Sequence, residues 1–440
     1  MLTHDGLPAS QPDQKAIGRI ISERLEFMTG FESTYMPEHK LDVLETSGHL
    51  HFFREDLKLV HDSGVRTVRY PVPWHRIEPE PGRYDWQWMD VAMNALGEFG
   101  LDPIVDPMHL TSYPAWLRRG FDDPEFPRTY STFVRAFARR YPWVKKYTPF
   151  NEPFTTAFFC AHEGIWTPYA KKPETFVAMA VNLSKAICEV TATLDEELPG
   201  AQIVHVDTCE AHSALDPESV GFAAQLNERR FLVLDLILGR IDDRHPLYPY
   251  LKRHGLRDED LAWFAQHPAR IDILGLDYYQ FSEQQFHQSG PVLPGGEPVG
   301  FAAVAMQYIQ RYNLPIMLSE TNTRGHAEDR ISWLKYMVEQ CERLVQSGVD
   351  FRGFCWFPFI DSLDWDSLLC RADRHIDPVG IYWLDEAGER HPSELSYWYG
   401  ALARGEATSA SLPCYRFREP LASQLAAFLP QMQHWEWREP

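Results

Sequence analysis

Short apolar runs alternate with longer stretches of helical periodicity along this chain. The stretch HFFREDLKLVHDSG places Phe53, Leu57 and Val60 on one face and ends at Gly64, which predicts a helix over 52–63. WMDVAMNALGEFG and residues 132–141 show the same spacing. Between such segments lie runs typical of buried strands. The pattern predicts eight strands, over 27–31, 66–72, 102–109, 145–151, 201–207, 270–279, 314–320 and 351–357.

Eight strands separated by helices in one continuous chain predict an α/β fold, a single (β/α)₈ TIM barrel with its active site at the C-terminal ends of the strands. A doubly wound sheet would need a glycine-rich turn after its first strand, and GFESTY does not supply one. We expect an N-terminal extension over 1–24, the catalytic barrel over 25–405, and a tail over 406–440. Its aromatic residues predict that the tail packs on the barrel: Tyr415, Phe417, Trp435 and Trp437.

Composition narrows the possible partners. The formal net charge is −20 and no Lys/Arg run occurs, which argues against nucleic acid and anionic membrane surfaces. No run of 18 apolar residues predicts a membrane span, and the first 25 residues lack the apolar core of a secretory signal. Seven scattered cysteines without CxxC spacing predict reduced thiols and a cytoplasmic location. The sequence leaves homo-oligomer formation open.

Two glutamates follow predicted strands that face each other across the barrel mouth. The run YTPFNEP ends the fourth strand with Glu152, and LPIMLSE ends the seventh with Glu320. A carboxylate at the end of a buried strand is costly unless something uses it. Two such groups suit glycoside hydrolysis, in which one protonates the departing oxygen while the other attacks the anomeric carbon or activates water.

Other strand ends supply polar and aromatic partners. Arg69 and a tyrosine hydroxyl would keep the attacking carboxylate ionised, and Trp356 would form the floor of the sugar site. His109 is a candidate sugar ligand. Tyr278 and Tyr279 point to opposite faces of their strand, so we expect only one of them in the site. Strand five also offers Asp207 and Glu210, whose roles the sequence does not assign.

A metal-dependent hydrolase is the rival chemistry. The tripeptide HLH at 49–51 has the spacing of a metal-binding pair. It precedes a predicted helix rather than ending a strand, and no HExxH motif accompanies it. We therefore predict no metal site and no cofactor.

Several segments together resemble glycoside hydrolase family 1, the β-glucosidase family, over residues 25–400. YTPFNEP is similar to the family's T-x-NEP motif, and LPIMLSETN to its P-I-x-I-T-E-N-G strand. VRYPVPWHRIEPEPGRYDW resembles Y-R-x-S-I-x-W-x-R-I-x-P, and DILGLDYY resembles D-F-x-G-x-N-Y-Y. The segment from IDPVGIYWLD to SYWY is similar to the family's closing stretch.

This resemblance implies a retaining double displacement without metal or cofactor. Glu152 would be the general acid/base and Glu320 the nucleophile, with carboxyl groups ~5 Å apart. The remaining roles implied by the family are these: Asn151 holds the sugar 2-hydroxyl, Tyr279 touches the nucleophile, Arg69 supports it, and His109 binds a glycone hydroxyl.

The chain departs from the family at the far end of the sugar. GFESTYMPEH lacks the family's glycone-binding Gln, and Glu32 is the candidate to replace it. After strand eight, WFPFIDSLDWD is one residue longer than the family's W-S-L-x-D-N-F-E-W, and it places Asp364 at the position of the sugar-clamping Glu, beside Trp365. The sequence thus predicts a β-glycosidase acting on small β-glycosides or oligosaccharides, with a changed glycone pocket. A transglycosidase and a carbohydrate-binding pseudoenzyme remain as alternatives.

Overall fold

The structure is a computed structural model that describes residues 25–287, 293–294 and 299–416. The predicted N-terminal extension and the tail residues Phe417, Trp435 and Trp437 lie outside these ranges. Within them the tail residues up to 416 run along the barrel. There Lys335 Nζ donates to the Ser409 carbonyl at 2.6 Å, and the Tyr415 N–H donates to Ser332 Oγ at 2.8 Å.

Eight parallel strands close into a barrel, which confirms the predicted fold class. In chain order they are β1 (Phe27–Gly30), β2 (Thr67–Pro71), β3 (Asp102–Asp106), β4 (Lys146–Tyr147), β5 (Gln202–Thr208), β6 (Ile273–Asp277), β7 (Ile316–Glu320) and β8 (Phe351–Trp356). Each strand pairs with its neighbours in sequence, and β1 pairs with both β2 and β8 to complete the circle.

Alternate strand residues fill the inside of the barrel, as the two-residue period of a strand requires. One small cluster combines residues from six strands and from the loop after β8: Met28, Ile104, Val204, Val206, Ile273, Met317, Cys355 and Phe357. A much larger apolar cluster lies between the strands and the surrounding helices. These two layers hold the strand ends, and hence the residues of the site, in fixed positions.

The principal helices follow the strands in order. They are α1 (His49–Asp62), α2 (Gln87–Glu98), α3 (Phe126–Arg140), α4 (Pro173–Glu197), α5 (Val220–Arg229), α6 (Phe301–Tyr312), α7 (Ala327–Gln346) and α8 (Glu394–Arg404). Shorter helices are Val43–Thr46, Trp74–Ile77, Pro153–Ala157, Leu232–Ile237, Tyr248–Arg253 and Asp258–Gln266. The first helix begins three residues before the predicted 52, so it includes the HLH tripeptide.

Helix α4 is long and apolar enough by composition to cross a membrane, with a mean hydropathy of 1.3 over its best window. However, 72% of that window is buried inside the protein, where the helix packs against α3. This burial is typical of a core helix in a barrel of this size.

Loops at the C-terminal ends of the strands carry additional structure. Ala211–Ala214 after β5 pairs in parallel with Glu283–Phe286 after β6, and Leu293–Pro294 joins that small sheet. Two-stranded ribbons pair Tyr35–Met36 with Leu41–Asp42, Ser362–Leu363 with Ile376–Asp377, and Tyr382–Leu384 with Arg390–Pro392. These additions surround the mouth of the barrel.

Candidate active site

A cavity of about 1350 Å³, including the space at its mouth, opens at the C-terminal ends of the strands. Both predicted catalytic residues, Glu152 and Glu320, line it. Active sites of (β/α)₈ enzymes lie at this end of the barrel, because the strand-to-helix loops converge there. The cavity is therefore the candidate active site.

Glu320 is the last residue of β7 and is held by two donors. The Arg69 guanidinium, from β2, forms an ion pair with Glu320 Oε1, and the Tyr279 hydroxyl donates to Oε2 at 2.6 Å. Arg69 is itself buried and also donates to Asn151 Oδ1 at 2.6 Å. The guanidinium and the hydroxyl together fix the orientation of the Glu320 side chain.

Glu152 lies at a sharp turn between β4 and the short helix Pro153–Ala157. Its backbone has φ +48°, an uncommon conformation for a residue with a side chain, and its N–H donates to the Val206 carbonyl at 3.0 Å. Asp207 stabilises the same turn, because its Oδ2 accepts from the Phe154 N–H at 3.0 Å. Backbone contacts on both sides thus direct the glutamate into the cavity.

The environments of the two glutamates differ. Burial, and then the neighbouring carboxyl groups of Asp277, Glu320 and Asp207, raise the pKa of Glu152 well above its ordinary value, and His109 opposes this only in part. Glu320 has Arg69 beside it, whereas Glu152 has no such ion pair among the described residues. Oxygen atoms of Glu152, Asp277 and Glu320 all lie within 4.8 Å of one another. One carboxyl is thus suited to carry a proton and the other to act as an anion.

The same three carboxyls offer the donor atoms of a cation site, but Arg69 already provides positive charge at Glu320. The HLH tripeptide offers no alternative. His49 Nδ1 bonds Asp56 at 2.8 Å, Arg390 bonds the same carboxylate, and His51 is exposed. Across the residues that the structure describes, no other trio of potential ligands converges.

Glu32, which follows β1, and His109, which follows β3, form a charged pair in the wall of the cavity. Glu32 Oε1 accepts from the Thr34 N–H and hydroxyl at 2.8 and 2.6 Å, and it lies 3.5 Å from His109 Nε2. Burial raises the pKa of Glu32, but His109 and these donors outweigh it and lower the pKa. Burial lowers the pKa of His109, but Glu32 and Asp106 raise it well above the usual range. The pair is therefore ionised at neutral pH.

The prediction that Trp356 forms the floor of the sugar site is wrong. Trp356 is fully buried, donates from Nε1 to the Val379 carbonyl at 2.9 Å and does not line the cavity. Phe357, the next residue, lines it instead and stacks on His109 with ring centroids 5.6 Å apart. Successive strand residues face opposite ways, so a shift of one residue exchanges the two roles. Gly30 makes room for Phe357, since a Cβ there would lie 2.7 Å from the ring.

The prediction for Asp364 is also wrong. Its two oxygens accept from the His375 and Arg374 N–H groups at 2.9 and 3.2 Å, and the buried side chain does not line the cavity. This carboxylate therefore holds the loop after β8 together. The neighbouring Trp365 does line the cavity, with its ring packed edge-on against Trp166.

The structure brings the remaining predicted residues to the catalytic pair. Asn151 Oδ1 accepts from Arg69, while its buried Nδ2 has no protein partner in the described part of the chain and so remains a donor. Tyr279 reaches Glu320, and Tyr278 turns away to donate to Glu283 at 2.5 Å. Only one of the two tyrosines enters the site, as the alternation of strand residues predicted.

Sequence reasoning did not identify several residues of the cavity. An aromatic wall comes from segments after β4 and β6, namely Phe154, Phe158, Phe159 and Phe281. An ion pair between Arg324 and Asp377 also lines the cavity. Of the two residues without an assigned role, Asp207 supports the turn at Glu152, and Glu210 lines the cavity. The only sequence signal for this wall was the run FNEPFTTAFF, which places three phenylalanines shortly after Glu152.

The fold and the site together define a (β/α)₈ barrel with a carboxyl pair at its mouth. A family model described as Glyco_hydro_42, beta-galactosidase, matches residues 34–156, which include β2 to β4 and Glu152. The match covers part of the chain and points to a family different from the one that the motifs resemble.

Relatives that match over most of the chain include β-glucosidases. Beta-glucosidase A of Thermotoga maritima is 22% identical, over 81% of this chain and 86% of the relative. A bifunctional beta-D-glucosidase/beta-D-fucosidase of Bifidobacterium breve is 25% identical, over 79% and 86%. The structure of a Thermotoga maritima beta-glucosidase in complex with castanospermine superimposes with a TM-score of 0.76 at 18% identity, over 88% of this chain and 98% of that chain. The protein is thus related to glycoside hydrolases and shares their barrel fold.

Proposed function

We propose that this protein is a retaining β-glycosidase in which Glu152 is the general acid/base and Glu320 the nucleophile. The observation that carries the proposal is the approach of the two carboxyl groups to within 4.8 Å, inside a cavity at the barrel mouth. Retaining glycosidases hold their carboxyl groups about 5–5.5 Å apart, whereas inverting enzymes separate them by about 6.5–9.5 Å to admit a water molecule.

The contacts of each glutamate match its role. Glu320, held by Arg69 and Tyr279, attacks the anomeric carbon and forms a glycosyl ester while the bond to the aglycone oxygen breaks. That oxygen takes the proton of Glu152, which the raised pKa retains at neutral pH. Water then attacks the ester and gives its proton back to Glu152, so both glutamates return to their starting states.

The ionised wall of the cavity suits the glycone. The hydrogen bonds that described residues donate to Glu32 all go to Oε1. The free Nδ2 of Asn151 is a donor beside the nucleophile. Phe357, which lines the cavity where Trp356 was predicted to do so, adds apolar surface to this wall. An ionised Glu32 accepts hydrogen bonds only, so this wall favours neutral sugars with free hydroxyls over sugars that carry a carboxylate.

The aromatic wall suits an apolar aglycone. Phe154, Phe158 and Phe159 follow the acid/base in the chain and line the cavity together with Phe281. A second sugar unit would need several hydroxyl partners there, and burying its polar groups against phenyl rings without them is costly. Aryl and alkyl β-glycosides therefore fit the cavity better than oligosaccharides.

Release of nitrophenol from a panel of aryl β-glycosides (gluco, galacto, fuco, manno, xylo and glucuronide) tests the proposal. NMR of the first product formed from the best substrate then reports its anomeric configuration. We expect turnover of one or two neutral members and a β-configured initial product. An α-configured product would disprove the retaining mechanism. Transfer of the sugar to added alcohol with little hydrolysis would favour the transglycosidase, and binding without turnover would favour the pseudoenzyme.

We also propose that the protein works in a reducing, cytoplasmic location. It is supported by the seven cysteines, all of which are free thiols and five of which are buried.

A further inference from the structure

A third carboxyl group lies between the two proposed catalytic glutamates. Asp277 ends β6 and pairs in register with Glu320 on one side and with Thr208 on the other. It is fully buried, and one of its oxygens lies within 4.8 Å of oxygens of both Glu152 and Glu320. The motif that this strand resembles, D-F-x-G-x-N-Y-Y, has an amide at this position. An acid in place of an amide needs a physical explanation.

The hydrogen bonds of Asp277 are incomplete for an ion. Its Oδ1 accepts from the Ser319 hydroxyl at 2.6 Å, while the buried Oδ2 has no partner in the described part of the chain. The nearby guanidinium of Arg69 is directed elsewhere, since it bonds Glu320, Asn151 and the Ser319 carbonyl. A buried carboxylate with one unpaired oxygen carries a charge that neither water nor a donor stabilises, whereas the neutral acid avoids the cost of burying that charge.

The surrounding charges act in the same direction. Titratable groups face Asp277 from every neighbouring element of the barrel floor: Arg69 from β2, Glu152 from the end of β4, Asp207 and Cys209 from β5 and its loop, Tyr279 from the loop after β6, Glu320 from β7, and Cys355 from β8. Burial, followed by the charge of Glu320, raises the pKa of Asp277 well above its ordinary value, and Arg69 and Ser319 offset this only in part.

We infer that Asp277 is a neutral carboxylic acid in the resting enzyme, with its proton on Oδ2, and that it acts as a positioning residue beside Glu152 and Glu320 in place of an amide. The Ser319 hydroxyl holds Oδ1 as the acceptor, which leaves Oδ2 for the proton. With Asp277 neutral, burial and the neighbouring Glu320 still raise the pKa of Glu152, so the acid/base keeps its proton without a charge on Asp277.

Infrared difference spectroscopy tests this protonation state directly, because neutral carboxyl groups absorb apart from carboxylates. We expect Asp277→Asn to remove one neutral-carboxyl band at pH 7. Glu152→Gln should remove another, and Glu320→Gln should remove none. An unchanged neutral-carboxyl region in Asp277→Asn, with a loss in the carboxylate region instead, would show that Asp277 is ionised and would overturn the inference. This readout needs no substrate, so it is independent of the proposed glycosidase activity.

The unmodified protein gives a second measurement in case the variant does not fold. Aspartate labelled with ¹³C in its carboxyl group shifts the bands of aspartic acids but leaves those of glutamic acids in place. Asp207 also contributes at pH 7, because burial raises its pKa to about 8. At pH 7 the shifted band should therefore have about the intensity of two carboxyl groups, calibrated on the single band lost in Glu152→Gln. The intensity of one group or less would disprove the inference.

A kinetic test, which rests on the proposed function, distinguishes a positioning role of Asp277 from a role in packing alone. Since Asn keeps a neutral donor, Asp277→Asn should hold kcat/KM within about threefold at the pH optimum, whereas Asp277→Ala should lose about tenfold or more. The basic limb of the pH profile should stay in place in Asp277→Asn. A basic limb that moves to lower pH would show that Asp277 carries a charge while Glu152 titrates, and would contradict the inference.

Discussion

The floor and the aromatic wall of the cavity are built in different ways. Residues of the floor, such as Arg69, Asp277 and Glu320, lie on barrel strands and are buried on all sides. Residues of the wall lie on segments after strands, and Phe281 keeps 38% of its surface exposed. The floor holds charged and acidic groups in a fixed network, whereas the wall presents apolar rings without such a network.

This difference assigns the chemistry and the choice of substrate to separate parts of the molecule. Charges at fixed distances are needed to stabilise charge that develops in a transition state, and buried strands supply that rigidity. Selection among aglycones needs only shape and apolar surface, which loops can change without disturbing the floor. We therefore expect large kinetic effects from the floor and modest, substrate-dependent effects from the wall.

The largest effect should come from the nucleophile. Glu320→Gln keeps the size of the side chain but removes the attacking anion, so kcat should fall by about 10⁴-fold or more. Single-turnover assays of an aryl β-glycoside measure this loss. Azide added to Glu320→Ala should restore release of the aryl group and give an α-glycosyl azide. If Glu320→Gln kept a tenth of the normal activity, another residue would have to be the nucleophile.

Loss of the acid/base should cost less and depend on the leaving group. Glu152→Gln should lower kcat/KM by about 10²–10⁴-fold for poor leaving groups and much less for an activated phenol. In the unmodified protein the acid is present below the raised pKa of Glu152, so activity falls as pH rises through that pKa. A pH–rate profile should lose this basic limb in Glu152→Gln. If the limb persists, another group supplies the proton.

Much of the floor could be predicted from the sequence, because it is placed by local rules. Strand periodicity located all eight strands, and a residue at the end of a strand must lie at the barrel mouth. Glu152, Glu320 and Arg69 followed from that rule, whereas the choice of Tyr279 over Tyr278 came from the family resemblance. The weak point was the choice between successive residues at a strand end. At the end of β8, Phe357 rather than Trp356 lines the cavity, which is a shift of one position.

The wall could not be predicted because long-range packing decides it. No spacing rule tells that Phe281, some 120 residues after Phe158 in the chain, closes the same cavity. Asp364 illustrates the same limit. Its position in the motif suggested a sugar ligand, but the loop path turns its carboxylate onto the backbone of Arg374 and His375.

Glu32 should show an intermediate effect confined to the glycone. Glu32→Gln keeps the shape, but it replaces an ionised acceptor with an amide and removes one of the two carboxylates that raise the pKa of His109. Hydrogen bonds to a charged group contribute about 1.5–3 kcal/mol, so kcat/KM for the preferred sugar should fall by about 10–100-fold. The variant should discriminate less against a glucuronide than the unmodified protein does. An equal loss for every sugar of the panel would place Glu32 outside the glycone site.

The smallest effect should come from the wall. Phe281 lies parallel to Tyr279, with ring centroids 5.1 Å apart, and lines the cavity, so Phe281→Ala removes apolar surface from the aglycone side without touching the ion pairs of the floor. We expect KM for an aryl glycoside to rise about tenfold, kcat to change little, and KM for the corresponding methyl glycoside to stay nearly constant. Tyr397→Ala is the matched control, because Tyr397 is 64% exposed and does not line the cavity. Equal changes for aryl and methyl glycosides would show that Phe281 acts through Tyr279 on the nucleophile, and the division between floor and wall would then fail at this contact.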